Sequence, residues 1–362
     1  MKILFSSLSG HDLTQSLNYY RVLQRKGHQV FKFAVPGAVD DHSRGAWVEP
    51  GFAPETTLDG LVDFCGFKPD LFLYIEPYGL IPRGMEKAPF TTACLLCDTH
   101  RDLNMRLGLA RFFDHVFLYQ VNYLQCFTEH SSGHVHWHPY ACDVEFFYPL
   151  KIDRDLDVAF IGHGRTEERR RILSTLEQSY KINEQRYYWQ KEIPQIYSRA
   201  KIVLNLPAAD DLNFRTFEAM SCGAMLLTRR IDNGQELLFQ EGTHYAAFAD
   251  ENELFAKVDY YLAHPEEREA IAAAGLKEVQ ARHRMEQRIE ELLERVTKKP
   301  DLVAPLRHMT ARQVDLQYAW LYEKWRLADA GLKLTREVWN ARRPFLGVLL
   351  PAIRSSLRIL FR

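Results

Sequence analysis

Cysteine is scarce in this chain, long hydrophobic runs are missing, and net charge is close to zero. Six cysteines in 362 residues (Cys65, Cys94, Cys97, Cys126, Cys142 and Cys222) are too few and too scattered for a disulfide framework. Cys94 and Cys97 have a CxxC spacing, but they sit in an apolar run where strand positions three apart face opposite sides. They read as buried strand cysteines rather than a zinc or redox pair. The uncharged apolar stretch Pro344–Ile353 covers ten residues and holds two prolines, against the roughly twenty that a membrane-spanning helix needs. The opening apolar run stops at Ser6-Ser7, too soon for a secretory signal, so a cytoplasmic protein is expected. Of the residues, 46% are hydrophobic and 26% charged, which excludes a disordered chain.

The net charge of −1 conceals a segregation. From Gly331 to Arg362, Lys333, Arg336, Arg342, Arg343, Arg354, Arg358 and Arg362 stand against Glu337 alone, a surplus of +6 that leaves −7 on residues 1–330. An acidic body argues against a nucleic-acid partner. The tail interleaves its cations with Trp339, Phe345, Leu346, Leu349, Leu350, Ile353, Leu357, Ile359, Leu360 and Phe361. Such a basic amphipathic stretch suits an anionic membrane surface, or an acidic face of its own body or of a second copy. Pro344 and Pro351 divide any long helix there.

Short apolar runs alternate with helical patterns, which predicts an α/β chain with parallel sheets. Strands are expected at Lys2–Ser7, His28–Val35, Asp70–Ile75, Thr92–Cys97, Val116–Tyr119 and Val135–Trp137, with a helix over Leu13–Arg25 closed by Gly27. Pro139–Pro149 reads as a connection. A second set follows: strand Asp157–Ile161, helix Arg165–Ser179, strand Ile202–Leu206, helix Asn213–Ser221 and strand Ala224–Thr228. The helix Asn252–Ala263 and a long charged pattern over Pro265–Val296 come next. The expectation is two Rossmann-like doubly wound domains, 1–150 and 151–300, facing a cleft, with a helical extension at 301–362. Ligands of such sheets bind outside the carboxyl ends of the strands. In the extension, Val314, Tyr318, Leu321 and Trp325 recur at helical spacing and predict one packed stripe.

The strongest local constellation runs from Leu204 to Thr228. A strand ends, a polar loop turns, and a helix opens with Asn213 as N-cap. Arg215 in the first turn is unfavourable beside the positive helix end unless an anion sits there, where a guanidinium and free N–H groups together hold phosphate. Glu218, three residues on, shares that helix face. A surface Arg215–Glu218 pair is the plainer account. Gly162-His163-Gly164-Arg165 follows the strand at 157–161 and could bring backbone N–H groups to a phosphate, or be only a tight turn.

Asn213-Phe-Arg215-Thr-Phe-Glu218-Ala-Met-Ser-Cys-Gly223-Ala resembles the donor-site motif of the CgeB-like glycosyltransferases, within the group-1/family-4-like enzymes of GT-B fold. The similarity continues through Ile231-Asp-Asn-Gly-Gln-Glu236-Leu and His264-Pro-Glu-Glu-Arg268. It covers roughly residues 155–297 well, and residues 1–150 in general pattern only. It implies a sugar transferred from a nucleotide-diphosphate donor to an acceptor hydroxyl, with retention of configuration, no cofactor and no metal. Gly162, His163, Gly164, Arg165, Asn213 and Arg215 would hold the donor, and Glu218 its ribose. Eight residues before Glu218 the wider group has a second Glu; here Asp210 stands in its place, as a candidate near the sugar or leaving phosphate. Asp98 and His100 would position sugar or acceptor, or act as base, provided that the strand continues and turns both to one face. A structural pair or a helix N-cap is the alternative there. Gly10 and His11, after the first strand, fall on the acceptor side. If the basic tail meets membrane, a lipid-linked or envelope glycan at the inner face of the membrane is the acceptor expected. An epimerase or hydrolase, or a non-catalytic scaffold, would share this fold. His134, His136 and His138 alternate on one strand face, polar rather than metal-binding in this reading.

Overall fold

The computed structural model describes residues 1–7, 15–33, 52–76, 79–130, 133–162, 166–207, 209–298, 303–325 and 327–340. The chain divides into two compact units, the first made of Met1–Tyr119, Tyr123–His138 and Leu292–Arg362, the second of Gln120–Asn122 and Pro139–Glu291.

The first unit carries six parallel strands: β1 (Lys2–Ser6), β2 (Gln29–Phe33), β3 (Leu71–Ile75), β4 (Thr91–Leu96), β5 (His115–Leu118) and β6 (His134–Trp137), in the order β2-β1-β3-β4-β5-β6. Every residue of β3 and β5 is buried, as expected when helices cover both faces of a parallel sheet. The strand order reverses at β1, so the loop after Ser7 leaves from a topological switch point. The helix Gln15–Arg25 ends where the sequence predicts, at Gly27 with φ 77°.

The C-terminal segment belongs to this unit. Leu306, Val314, Tyr318, Leu321, Tyr322, Leu334 and Val338 share one core with Leu4, Phe72 and Tyr74. The stripe predicted over Val314–Trp325 lies on the helix Ala311–Lys324, opened by a Thr310–Gln313 capping box and followed by Trp325 stacked on Tyr74. The Tyr318 hydroxyl donates to the Pro82 carbonyl at 2.6 Å. Arg307 donates to Asp114 at 2.8 and 2.7 Å and to the carbonyls of Ala88 and Phe90. Asp114, 1% exposed, also accepts from Thr92 and from the Ala304 amide. Burial alone would raise its carboxyl, but the Arg307, Ala304 and Thr92 hydrogen bonds outweigh that and hold it below the usual range. Residues 303–340 are therefore not a separate third piece. The described part of the basic tail packs on protein: the helix Ala328–Asn340 buries Ala330, Leu334 and Val338, while Lys333 pairs with Glu55 and Glu337 with Arg83. Residues 341–362 lie outside the described residues.

The three alternating histidines, two in β6 and His138 just after it, divide. His138 bonds the Tyr19 hydroxyl at 2.6 Å, whereas His134 and His136 stack with His115 of β5. Arg295 can only donate to His136 Nδ1 (3.1 Å), so His136 Nε2 carries the proton and donates to His115 Nδ1 (3.1 Å). Burial, then the Arg295 cation, pushes His136 down to about 3. Burial and His134 push His115 down to about 4. Among the described residues, no three His, Cys, Asp or Glu side chains group as metal ligands.

The second unit holds β7 (Leu156–Ala159), β8 (Ala200–Asn205), β9 (Met225–Arg229) and β10 (Ala246–Phe248), parallel and in the order β10-β9-β8-β7. Ile182 bridges Val158 on the free side of β7. The chain thus reaches one flank of β7 through the helix Glu167–Ser179 and the other flank at β8, which makes β7 the switch point. The long charged pattern over Pro265–Val296 forms two helices, Pro265–Arg282 and Met285–Thr297. It breaks because Cys142 takes up the backbone there, donating to the His283 carbonyl and accepting from the Met285 amide at 3.0 and 2.8 Å.

Two stability outcomes follow from the first unit. Arg307→Ala leaves the buried Asp114 carboxylate without its cation and should cost about 3–5 kcal/mol, read as a lowered denaturation midpoint; a loss under about 1 kcal/mol contradicts the assignment. His115 and His136 are neutral in the fold but near 6.5 when unfolded. Stability present above pH 6.5 should therefore fall as pH drops toward 4, by about 1.4 kcal/mol per pH unit for each histidine. The variant H115Q/H136Q should flatten that slope in denaturant titrations at pH 7.5 and 5.

Candidate active site

The carboxyl end of β7 is fixed by one side chain. Asn183 accepts from the Phe160 amide at 2.8 Å and returns a hydrogen bond to the Phe160 carbonyl at 3.0 Å. The chain turns at Ile161-Gly162; His163, Gly164 and Arg165 lie outside the described residues.

Helix Phe214–Ser221 starts beside this turn. Asn213 occupies the N-cap position with extended backbone, but its side chain does not cap. It donates instead to Asn205 Oδ1 at 3.1 Å. Arg215 Nη1 reaches the same oxygen at 2.7 Å, and Nη2 bonds the Ile161 carbonyl. The guanidinium lies 4.8 Å over the Phe160 ring. A Cβ on Gly162 would stand 2.6 Å from Arg215 Nη2, so a larger residue there would displace the guanidinium from this position. Gly162 and Arg215, 53 positions apart, are thus brought into contact.

Arg215 makes no ion pair among the described residues. The expected Arg215–Glu218 surface pair is not formed: the guanidinium turns to Asn205 and Ile161, which are neutral. Its Nε is buried without a partner. Arg169, from the helix Glu167–Ser179, bonds the Leu206 carbonyl; burial, then the charges of Arg215 and Arg229, holds it below its ordinary pKa. Arg229 is neutralised by Glu168 at 2.7 and 3.2 Å. Arg169, Arg215 and Arg229 thus lie close enough at the carboxyl ends of β7, β8 and β9 to act on one another. Glu218 is half-buried, and burial, opposed by Arg215, pushes its carboxyl up to about 7.

Asp210 is exposed. Its carboxylate accepts from the Asp232 amide at 2.6 Å and from Asn122 at 3.4 Å, and its carbonyl accepts from Asn233. It shapes the turn at Ile231–Gly234. Sequence reading missed Asn205, which joins Asn213, Arg215 and Thr216; the signal was an amide closing the apolar run of β8. It also missed Asn183 and the half-buried aromatics Tyr187 and Trp189, in edge contact with each other just beyond.

In the first unit, β4 ends at Leu96, so the expected alternation of Asp98 and His100 is not realised. Asp98 is left-handed (φ 47°, ψ 38°) and starts the turn Thr99–Arg101. Its carboxylate pairs with Arg101 at 3.2 Å. It does not cap a helix; Asp102 does, accepting from the Met105 amide. His100 is exposed, and its ring is held below its ordinary value by burial of part of it, against the pull of Asp98. Glu76 and Arg106, which sequence reading passed over, form a buried ion pair beneath this turn at 3.1 Å. Cys94 is buried and Cys97 half-buried, neither in a disulfide. Gly10 and His11 lie outside the described residues.

Residues 144–294 match a family model described as glycosyl transferase-like. No curated protein sequence matches the chain. Among solved structures, HepE from Anabaena in complex with UDP and glucose superposes with a TM-score of 0.61 at 14% identity, covering 83% of this chain and all of that one. Sucrose-phosphate synthase from Thermosynechococcus elongatus gives 0.56 at 13%, covering 82% and 98%. An alpha-glucosyltransferase bound to UDP-glucose and abasic DNA gives 0.59 at 12%, covering 82% and 99%. The chain therefore has the GT-B fold expected of it, and residues 144–294 are similar to a glycosyl transferase-like domain.

The Glu218 carboxyl supplies a test. Its folded pKa is raised, so its contribution to stability is present below about 4.5 and lost as pH rises through 7. Glu218→Gln should match the parent at pH 5 and exceed it by about 2 kcal/mol at pH 8.5. Equal denaturation midpoints at pH 8.5 would contradict the burial of that carboxyl.

Proposed function

We propose that the protein is a CgeB-like glycosyltransferase moving a sugar from a nucleotide-diphosphate donor to an acceptor hydroxyl. The carrying observation is Arg215: a guanidinium oriented by neutral acceptors at the carboxyl ends of β7 and β8, with its charge uncompensated. Charge grows on the leaving diphosphate as the glycosidic bond breaks, and fixed donors aimed at it lower the barrier. Arg215 and the helix start at Asn213 supply them, with Arg169 close by and the backbone of Gly162, His163, Gly164 and Arg165 as a further donor element. No metal is needed in this scheme. Glu218 would accept from the ribose hydroxyls; two such donors favour its ionised form and offset its burial.

Asp98 and His100 would orient sugar or acceptor or take the acceptor proton, and Gly10 and His11 would lie toward the acceptor. Asp210 would act near the sugar through the turn it holds. Retention of configuration follows the resemblance. The body's charge of −7 disfavours a polyanionic acceptor such as DNA. Arg342, Arg343, Arg354, Arg358 and Arg362, in a stretch with no acid, suit anionic lipid at about 1 kcal/mol each. A lipid-linked or envelope glycan met at the cytoplasmic face fits that reading. No helix among the described residues is long and apolar enough to cross a membrane.

Nucleotide release from UDP-, GDP- and ADP-sugars, with and without a crude glycolipid acceptor, tests the proposal. Acceptor-dependent release is expected. Release without acceptor points to a hydrolase or epimerase, and binding without turnover to a scaffold. Arg215→Ala and Glu218→Ala should each weaken nucleoside-diphosphate binding by about tenfold or more in calorimetry. Unchanged affinity in both sinks the assignment.

A further inference from the structure

The turn that carries Asp98 is held from beneath by a charged pair that its surroundings would not otherwise favour. Glu76 follows five fully buried residues of β3, and Arg106 lies inside the helix Leu103–Ala110; their side chains are 3% and 7% exposed. A buried ion pair rarely stabilises more than apolar residues of the same volume, because both charges lose their water. This one grips a single residue. Glu76 Oε2 accepts from the Cys97 amide at 2.9 Å, and Arg106 Nε donates to the Cys97 carbonyl at 2.6 Å. Arg106 Nη1 donates to the Asp102 carbonyl at 3.3 Å, so the far end of the turn is held as well. The Glu76 amide is itself tied to the Leu95 carbonyl of β4 at 3.0 Å.

The residue after this grip is Asp98, the one non-glycine with positive φ among the described residues. A left-handed backbone costs a side-chain-bearing residue roughly 1–2 kcal/mol, and such strain persists where the surroundings over-determine it. Here both peptide groups of Cys97 are fixed, the strand cannot run on, and the chain must turn. Thr99 is then buried while the Asp98 carboxylate and the His100 ring stay outside.

We propose that Glu76 and Arg106 are positioning residues: they clamp the Cys97 backbone so that Asp98 is locked in its left-handed conformation and its carboxylate faces the substrate. The proposal rests on the glycosyltransferase reading for what Asp98 meets there, and on this geometry alone for the clamp.

Replacing both charges in the full chain, Glu76→Leu with Arg106→Met, separates positioning from stability. Removing a buried pair entirely leaves no orphaned charge, so the denaturation midpoint should hold. The clamp predicts kcat for sugar transfer reduced by about a hundredfold, the cost of a misplaced catalytic group. Affinity for nucleoside diphosphate should stay within about twofold. Adding Asp98→Asn should cost the double variant little more, since the two changes act through one group. A kcat near the parent's, or losses that multiply, overturns the proposal. If the double variant fails to fold, Glu76→Gln is read in the same way. If the parent neither binds a nucleoside diphosphate nor releases one, the functional reading has failed, and hydrogen exchange judges the clamp by itself. The Cys97 amide should be protected in the parent and fast in the variant at equal global stability; unchanged protection refutes the clamp.

Discussion

A single arginine held by groups that do not neutralise it organises the second unit. Arg215 ties the end of β7, through the Ile161 carbonyl, to the end of β8, through Asn205. It lies over Phe160 and packs against Gly162, where a larger residue would push it aside. Asn205 and Asn183 are amides because the job is to fix geometry without cancelling charge. A carboxylate at either place would secure the turn more strongly and would abolish the positive field that the turn presents. The helix behind it adds its own free N–H groups and positive end. Folded without an anion, this arrangement pays for charge repulsion among Arg169, Arg215 and Arg229, and that cost makes sense where a phosphate is to be met.

The first unit solves a different problem. Its sheet is buried on both faces, and one of the covering layers comes from the far end of the chain. Asp114 and Arg307 fasten that layer, with Thr92 and Ala304 completing the carboxylate's shell. The basic C-terminal stretch changes meaning as a result. Part of its apolar surface, at Leu334 and Val338, belongs to the core, and Lys333 is paired within the unit. The excess positive charge is then concentrated beyond residue 340, where five arginines face no acid in sequence.

The strands apart from β10, the first helix and the helix at 214–221 were legible because apolar runs and local signals such as Gly27 dictate them; three residues, Ala246–Phe248, are too short a run to stand out. Arg215 and Glu218 were legible as oddities, a cation at a positive helix end and an acid on its face. Their partners were not. Asn205 lies ten residues upstream, and no spacing rule links the two. The break at His283 comes from Cys142, a contact across 141 residues that no helical periodicity can register. Asp98 and His100 were read as alternating because strand β4 gives no stop signal of its own. The stop is imposed by Glu76 and Arg106, each of which looks ordinary in its own segment.

Three buried or half-buried arginines thus differ less in burial than in what neutralises them. Arg307 is fully matched by Asp114, and the result is a fastening that no ligand needs to complete. Arg106 is matched by Glu76, but both also bind the Cys97 backbone, so their charge is converted into a fixed turn. Arg215 is matched by nothing charged, so its field is left for whatever arrives. Glu218, three residues on, sharpens the contrast. Burial holds its carboxyl near 7, so beside an uncompensated cation it is only partly ionised in the empty protein. It does not quench Arg215 before a ligand is bound, and a ligand offering hydroxyl donors to Glu218 and anionic oxygens to Arg215 would settle both groups at once. A nucleotide, with ribose and phosphate linked at a fixed distance, has that pair of features in one molecule.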